Sequence, residues 1–186
     1  MSTDETGRAT VEIPKGVTLT VDGRTLRAKG KLGTIVRPFP SDALVLSIKG
    51  TEVSLELRLP SHRKRSQALL RTWAAHIANI AGGLTQGVEA RLKVVAAHFP
   101  MKVQVRGEEL LIENFLGEKH PRSTHLLHGT KAVVEGEIVT ITGNDVEQVG
   151  QSAANVERAT RIREYDPRVF QDGIYLIERA HLKGAA

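Results

Sequence analysis

Three closely spaced histidines come nearest, by type and spacing, to a metal-binding group in this sequence. His120, His125 and His128 offer ring nitrogens, which zinc and related metals use as ligands. Their spacing is that of a loop or loosely extended segment, with no carboxylate in fixed register. Imidazoles beside Lys119 and Arg122 serve equally well to stack on or hydrogen-bond to RNA. We therefore predict no metal site and no cofactor, and keep a histidine-based metal-dependent enzyme as a minor alternative.

The motifs that accompany other common chemistries are missing. The sequence has no cysteine, which excludes disulfides, thiolate zinc sites and a cysteine nucleophile. It has no P-loop, no Gly-x-Gly-x-x-Gly after a strand, no Gly-x-Ser-x-Gly elbow and no His-Glu-x-x-His helix. We predict that the chain is not an enzyme.

Basic clusters are the stronger signal. The net charge is +5 and the sequence pI is about 9.7, which favours a polyanionic partner. Residues 1–93 carry 15 Lys or Arg against 8 Asp or Glu, whereas residues 94–186 carry 11 against 13. The clusters are Arg24 to Arg37 along a hairpin, Arg63-Lys64-Arg65 at a helix start, and Arg158, Arg161, Arg163 and Arg168 around a helix end.

Aromatic residues make up only 4% of the chain. This content disfavours the exposed stacking platforms that read single-stranded bases. The composition instead favours recognition of folded RNA by shape, with Arg and Lys on phosphates and turns at Gly117 and Gly143 letting the backbone approach the RNA.

The chain repeats itself with a shift of 84 positions. Gly23 and Leu26 align with Gly107 and Leu110, and Gly33 aligns with Gly117. A period of this length exceeds that of solenoid repeats, so each copy must bury a core of its own. The repeat predicts a duplicated domain.

Each copy has the pattern of an antiparallel sheet covered by one helix. In the first copy, alternation over 17–29 and 43–57 predicts two hairpins, so that four strands precede a helix from about 61 to 81 that Gly82-Gly83 ends. In the second copy, hairpins at 101–113 and 133–141 precede a helix from Asp145 to about Arg163. Asn144 is its predicted N-cap.

The predicted fold class is α+β, with two tandem duplicated domains. We expect a flexible N-terminus at 1–10, a first domain at 11–86, a second domain at 87–180 and a tail at 181–186. A strand at 88–98 joins the two domains. The polar first residues and the lack of a long apolar run predict a soluble intracellular protein with no membrane role.

Several segments resemble the large-subunit ribosomal protein L-six family, in its archaeal and eukaryotic branch. The resemblance rests on 146–155 (VEQVGQSAAN) and 166–175 (DPRVFQDGIY), and on 114–119, 97–101 and 11–14. It spans nearly the whole chain. It implies two duplicated α+β domains and a structural, non-catalytic role in the cytoplasmic ribosome.

The resemblance also implies partners and a site. Family members contact large-subunit rRNA near the sarcin–ricin loop and the stalk base, close to where translation GTPases dock and beside neighbouring ribosomal proteins. The main contact is made by the second domain. With the basic cluster of the first helix added, the predicted rRNA-binding residues are Gly117, Lys119, His120, Arg122, Gly143, Asn144, Arg161, Arg163, Arg168, Arg63, Lys64 and Arg65.

One further alternative comes from a different class of protein. In a protein-interaction adaptor, exposed sheet edges would pair with another chain and RNA contact would be incidental.

Overall fold

The computed structural model describes residues 2–4, 8–58, 64–163, 165–166 and 168–184, with only the backbone described for 2–4. The chain divides into two compact units, Met1–Gln86 (unit 1) and Gly87–Ala186 (unit 2). In the described residues, each unit has one α-helix and two antiparallel sheets. This architecture confirms the predicted α+β fold class with two sheet-and-helix units.

Seven strands of unit 1 precede its helix. They are β1 (Ser2–Asp4), β2 (Arg8–Glu12), β3 (Thr18–Asp22), β4 (Thr25–Gly30), β5 (Gly33–Pro38), β6 (Leu44–Lys49) and β7 (Glu52–Leu57). One sheet has the order β1-β2-β7-β6 and the other β3-β4-β5. The prediction of four strands was wrong, because β1, β2 and β5 were missed. Strand β5 begins with glycine and ends with proline, residues that are typical of turns but tolerated on an edge strand.

Both predicted hairpins of unit 1 are present. Strands β3 and β4 pair around Asp22-Gly23, and β6 and β7 pair around Gly50. Gly23 and Gly50 have φ angles of 56° and 63°, in the left-handed region that glycine enters without a Cβ clash.

Helix α1 (Lys64–Gln86) continues past its predicted end at 81. Gly82 and Gly83 were expected to end it, because a glycine in a helix interior costs roughly 1 kcal/mol relative to alanine. Both glycines are buried, and so is Leu84. The helix approaches β4 so closely that a Cβ on Gly30 would lie 2.7 Å from the Leu84 Cβ. Packing of the last turn therefore outweighs the low helix propensity.

The apolar stripe of α1 forms part of the unit 1 core, as its spacing predicted. Leu70, Ile77 and Ile80 are buried. Trp73 is partly buried and packs edge-to-face on Phe39, with ring centroids 5.1 Å apart.

Unit 2 repeats this organisation with seven strands. They are β8 (Val88–Val95), β9 (Lys102–Arg106), β10 (Glu109–Glu113), β11 (Arg122–His125), β12 (Lys131–Glu135), β13 (Ile138–Gly143) and β14 (Gly173–Leu182). One sheet has the order β12-β13-β8-β14 and the other β11-β10-β9. A short 3₁₀ turn, Phe115–Gly117, lies between β10 and β11.

Helix α2 (Val146–Ala159) is capped one residue later than predicted. The N-cap is Asp145, whose carboxylate accepts the Glu147 amide at 3.0 Å. Asn144 does not cap the helix, because β13 runs to Gly143 and Asp145 is the extended residue just before the first turn. The helix ends at Ala159 rather than near 163, since the Thr160 hydroxyl accepts the Ile174 amide at 2.9 Å and turns the chain toward β14.

Three boundary expectations need correction. Of the N-terminus expected to be flexible at 1–10, residues 2–4 and 8–10 belong to strands β1 and β2, and Ala9 and Val11 of β2 are buried in the core. The strand expected over 88–98 ends at Val95, since the backbone amide of His98 bonds instead to the Asp172 carboxylate. Strand β14 continues into the expected tail as far as Leu182.

Neither described helix combines the length and the apolarity that crossing a bilayer requires.

Candidate nucleic-acid interface

The predicted rRNA-binding residues of unit 2 separate toward the two ends of α2. Gly143 and Asn144 immediately precede its N-cap, whereas Arg161 and Arg163 follow its C-terminal end. Fourteen residues of helix span about 21 Å at 1.5 Å per residue. The predicted set is therefore not one compact site, and each end has its own geometry.

Arg122 ties the segment before β11 to the end of α2. Its Nε and Nη2 donate to the two carboxylate oxygens of Glu118, at 2.8 and 2.5 Å. Its Nη1 donates to the carbonyl oxygen of Ala159 at 2.8 Å, and the guanidinium lies 4.2 Å from the centroid of the buried Phe115 ring. The planar fork of arginine suits this bidentate and stacked arrangement, which lysine cannot reproduce.

The same contact changes the acidity of Glu118. The hydrogen bonds from Arg122 hold the pKa of the Glu118 carboxyl below its ordinary value, against the opposing effect of partial burial. Glu118 is thus an ionised partner of Arg122 at neutral pH. Its negative charge is matched within the protein and does not confront an approaching anion.

A buried carboxylate anchors the opposite side of this region. The side chain of Asp172 is fully buried and accepts the backbone amides of His98, at 2.9 Å, and Phe99, at 3.4 Å. Burial alone would raise the pKa of Asp172, but these bonds and the one from the His98 ring outweigh it and hold that pKa below its ordinary value. Because an ionised carboxylate only accepts, His98 Nδ1–H donates to it at 2.6 Å.

Three rings continue outward from this anchor. The His98 ring lies 4.9 Å from Phe170, and Phe170 lies 4.8 Å from Tyr165, centroid to centroid. Tyr165 is 50% exposed. Phe99 is also exposed and lies beside Gly117, where an added Cβ would come within 3.3 Å of the Phe99 ring. Sequence reasoning missed this cluster, because its members lie far apart in the chain.

Exposed cations flank Tyr165 and Phe170 in the sequence, and two more follow Gly117, which lies beside Phe99. No described carboxylate pairs with any of their side chains. We call these cations, together with the exposed apolar residues beside them, the basic–aromatic surface. It consists of Lys119, His120, Arg161, Arg163 and Arg168 with Phe99, Tyr165 and Val169.

The N-terminal end of α2 is closely packed. A Cβ on Gly143 would lie 2.8 Å from Val149 Cγ2 and 3.2 Å from the carbonyl oxygen of Gly129. The Ser152 hydroxyl accepts the Leu127 amide at 2.9 Å, which holds the neighbouring turn. Internal packing is thus sufficient to require glycine at 143. At position 117, the φ of 79° and the Phe99 ring do the same.

Two of the three histidines of the metal alternative lie beside different carboxylates. His125 lies 3.2 Å from Glu109 and His128 lies 3.6 Å from Glu108. Within the described part of the chain, the converging group is a different one, formed by Glu89, Glu178 and His181.

The two carboxylates of this group, Glu89 and Glu178, are already paired with a cation. Arg91 lies 3.1 Å from Glu89 and 3.5 Å from Glu178, so a guanidinium balances the two carboxylates. In unit 1, Lys64 and Arg65 are exposed on the first turn of α1, and Arg63 lies outside the described residues.

Comparison with known proteins identifies the family. The sequence model described as ribosomal protein L6 matches residues 99–173. Large ribosomal subunit protein uL6 of Methanosarcina mazei is 42% identical over 171 residues, covering 92% of this chain and 96% of that protein. The proteins of the same name from Methanospirillum hungatei and Methanobrevibacter smithii are 45% and 44% identical, covering 91% and 92% of this chain and 96% of each relative.

These relatives are archaeal and are named as ribosomal proteins, which confirms the resemblance and the prediction of no enzymatic activity. Identity above 40% over nine-tenths of the chain and nearly the whole of each relative is too extensive to reflect a shared fold alone. The chain belongs to the ribosomal protein L6 family of the large ribosomal subunit.

Proposed function

We propose that the chain binds large-subunit rRNA through the basic–aromatic surface of unit 2. The observation that carries this proposal is the set of exposed cations whose side chains no described carboxylate neutralises. Each Lys or Arg placed on a phosphate releases condensed counterions, which drives binding regardless of base sequence. The protein acts as a structural part of the cytoplasmic ribosome and performs no chemistry.

The acidic balance of residues 94–186 is compatible with this role. Near the surface, Glu118 is paired with Arg122, and Asp172 is buried against His98. The Asp166 carboxylate accepts the backbone amide of Arg168 at 2.9 Å. Arg122 thus matches the charge of Glu118 and Asp172 is buried, whereas Asp166 keeps an exposed negative charge close to Arg168.

Arg122 has a different role from the other predicted cations. Three of its nitrogens donate to Glu118 or to the end of α2, and its plane rests on Phe115. We infer that Arg122 positions the 118–122 segment beside Arg161. The phosphate contacts are then made by Lys119, His120 and the arginines after α2.

The resemblance to the family gives the location. We propose that unit 2 meets rRNA near the sarcin–ricin loop and the stalk base, where it supports the region that receives translation GTPases and borders other ribosomal proteins. Gly143 and Asn144 form a second point of approach at the other end of α2. The basic run Arg63-Lys64-Arg65 in the sequence of unit 1 adds a further contact.

Rebinding to depleted particles tests the proposal. Large subunits of Methanosarcina mazei are washed in concentrated salt to remove their own copy, mixed with the tagged chain and sedimented at moderate salt. We expect the chain to sediment with the particle, and to stay at the top of the gradient if the particle's RNA is first digested.

The outcomes separate the alternatives. Sedimentation that survives RNA digestion would replace RNA binding with the adaptor function. A chain that never sediments with the particle would overturn the proposal. Chemical footprinting of the rebound particle then tests the location, since protection confined to RNA distant from the sarcin–ricin loop would contradict it.

A further inference from the structure

An exposed aromatic and apolar patch lies on the turn between α2 and β14. Tyr165 is 50% exposed and Val169 is 59% exposed. Leaving such side chains in water forgoes the free energy of burial, so a contiguous exposed apolar patch is typical of a binding site. Arg163 and Arg168 lie within three residues of Tyr165, which distinguishes this patch from a purely apolar one.

The turn that carries the patch is fixed by its own hydrogen bonds. The backbone amides of Val169 and Phe170 both donate to the Asp166 carbonyl oxygen, at 3.0 and 2.9 Å. The Asp166 carboxylate accepts the Arg168 amide at 2.9 Å. The turn thus presents Val169 and Arg168 from a defined backbone, so binding there requires little ordering of the main chain.

Tyr165 is the outer end of a fixed series of rings. Its ring lies against Phe170, Phe170 lies against His98, and the buried carboxylate of Asp172 holds His98. The inner rings support Tyr165 from one side, and half of Tyr165 is left exposed. A ring held in this way offers a flat π surface at a low entropic cost.

We propose that Tyr165 stacks on an unpaired base of the rRNA while Arg163 and Arg168 bind the phosphates that flank it. This inference rests on the proposed function and deepens it. Bases inside an A-form helix are stacked on each other, so only a splayed base in a loop, bulge or end can meet the ring. An RNA strand supplies both a π face and phosphates, whereas an apolar protein surface would leave the two guanidinium groups unpaired.

The salt dependence of binding separates stacking from charge. The chain is titrated onto the salt-washed Methanosarcina mazei large subunits over a series of salt concentrations. We expect Tyr165→Leu to weaken binding by about ten-fold or more with no change in the slope of log K against log salt. Tyr165→Phe, which keeps the ring, should bind like the wild type. Arg163→Ala and Arg168→Ala should each reduce the magnitude of the slope by about 0.7 to 0.9.

Ile177→Ala is the matched control, because Ile177 is as exposed as Tyr165 and lies on β14, outside the basic–aromatic surface, but has no π face. It should leave binding nearly unchanged. Val169→Ala, in the same turn as Tyr165, tests for a hydrophobic contact: a loss equal to that of Tyr165→Leu would identify contact with protein and overturn the stacking proposal. Wild-type affinity for Tyr165→Leu, or a flatter slope, would also overturn it. Failure of the wild-type chain to bind would instead refute the proposed function.

Tryptophan fluorescence tests the stacking directly, even if Tyr165→Leu alters the fold. Tyr165→Trp places an indole at the proposed stacking position, while the native Trp73 lies in unit 1 and serves as the background. We expect the added fluorescence to be quenched when the variant binds and to become protected from acrylamide. Binding without quenching or protection would overturn the proposal independently of affinity.

Discussion

The two units share one topology but differ at the place where the chain leaves the helix. In the four-stranded sheet of unit 1, the edge strand beside β2 is β1, which is three residues long. In the four-stranded sheet of unit 2, the edge strand beside β8 is β14, which is ten residues long. The chain passes from α1 through Gly87 directly into β8. After α2, thirteen residues, 160–172, connect the helix to β14. That connection carries most of the basic–aromatic surface, and the described part of unit 1 has no equivalent connection after its helix.

The comparison also shows that the larger positive charge and the exposed aromatic residues lie in different units. Residues 1–93 have the larger positive balance, yet the surface that combines cations with exposed rings is in unit 2. In unit 1, Trp73 and Phe39 pack against the core and against each other. In unit 2, Tyr165 and Phe99 are exposed. A count of charges per half therefore points to a different unit from the one that we propose as the main RNA contact.

The largest expected effect comes from removing cations in one unit at a time. Changing Arg161, Arg163 and Arg168 together to alanine should weaken binding to the depleted large subunit roughly a hundred-fold at about 0.15 M salt, because three phosphate contacts are lost. The matched variant in unit 1 changes Arg27, Lys29 and Lys31, which are exposed and have no carboxylate partner among the described residues. We expect a loss below about five-fold.

The measurement is the binding constant over a salt series for both triple variants. Equal losses would break the distinction between the units and show that the RNA contact extends over the sheet of unit 1. A larger loss for the unit 1 variant would reverse the proposed assignment.

The second prediction compares how much an ion pair of each unit contributes to stability. Arg122→Ala should destabilise unit 2 by about 2 kcal/mol, because it leaves the Ala159 carbonyl and the Glu118 carboxylate without their donor and removes the contact with Phe115. Arg122→Lys should not restore this stability, since an ammonium lacks the fork. Arg24→Ala in unit 1 breaks a pair whose partners are both about three-quarters exposed, so we expect no measurable change.

Denaturant unfolding followed by two signals checks this prediction. The single tryptophan reports on unit 1 and both tyrosines report on unit 2. A loss of stability in the tryptophan signal, or equal effects for Arg24→Ala and Arg122→Ala, would contradict the structural role of Arg122.

The smallest expected effect is a dependence on pH confined to unit 2. The pKa values of Asp172 and Glu118 are lowered in the folded state, from ordinary values of 3.8 and 4.5. A lowered folded-state pKa contributes stability that is fully present above the unfolded-state value and is lost as the pH falls through the folded-state value. The denaturant concentration at the midpoint of unfolding, as reported by the tyrosines, should therefore decrease as the pH is lowered from about 5 to about 3.

Asp172→Asn provides the control for this effect. The amide does not titrate, so the variant should be less stable at pH 7 and show a weaker dependence on pH. An unchanged slope in the variant would assign the acid sensitivity to other groups.

Much of the fold follows from local pattern. Alternation and turn residues predicted the hairpins β3–β4 and β6–β7, and helical spacing predicted the two helices, because these signals lie within a short stretch of chain. The errors fall where long-range contacts prevail. Gly82 and Gly83 continue a helix because they are buried, and Asp172 ends the extension of β8 from 74 residues away. Neither contact has a local signature.

The sequence by itself determined the duplication, the α+β class, the family and the basic character of the segments around α2, since repeats, periodicity and charge are properties of the chain. Only the tertiary structure decided which of those side chains are exposed and which are bound within the protein. It shows that Arg122 is hydrogen-bonded to Glu118. It also shows that close packing accounts for the glycines at positions 143 and 117. It also gathers scarce aromatic residues into one exposed group. The physical reason is that a side chain's availability depends on the neighbours it meets after folding, and those neighbours lie far away in the chain.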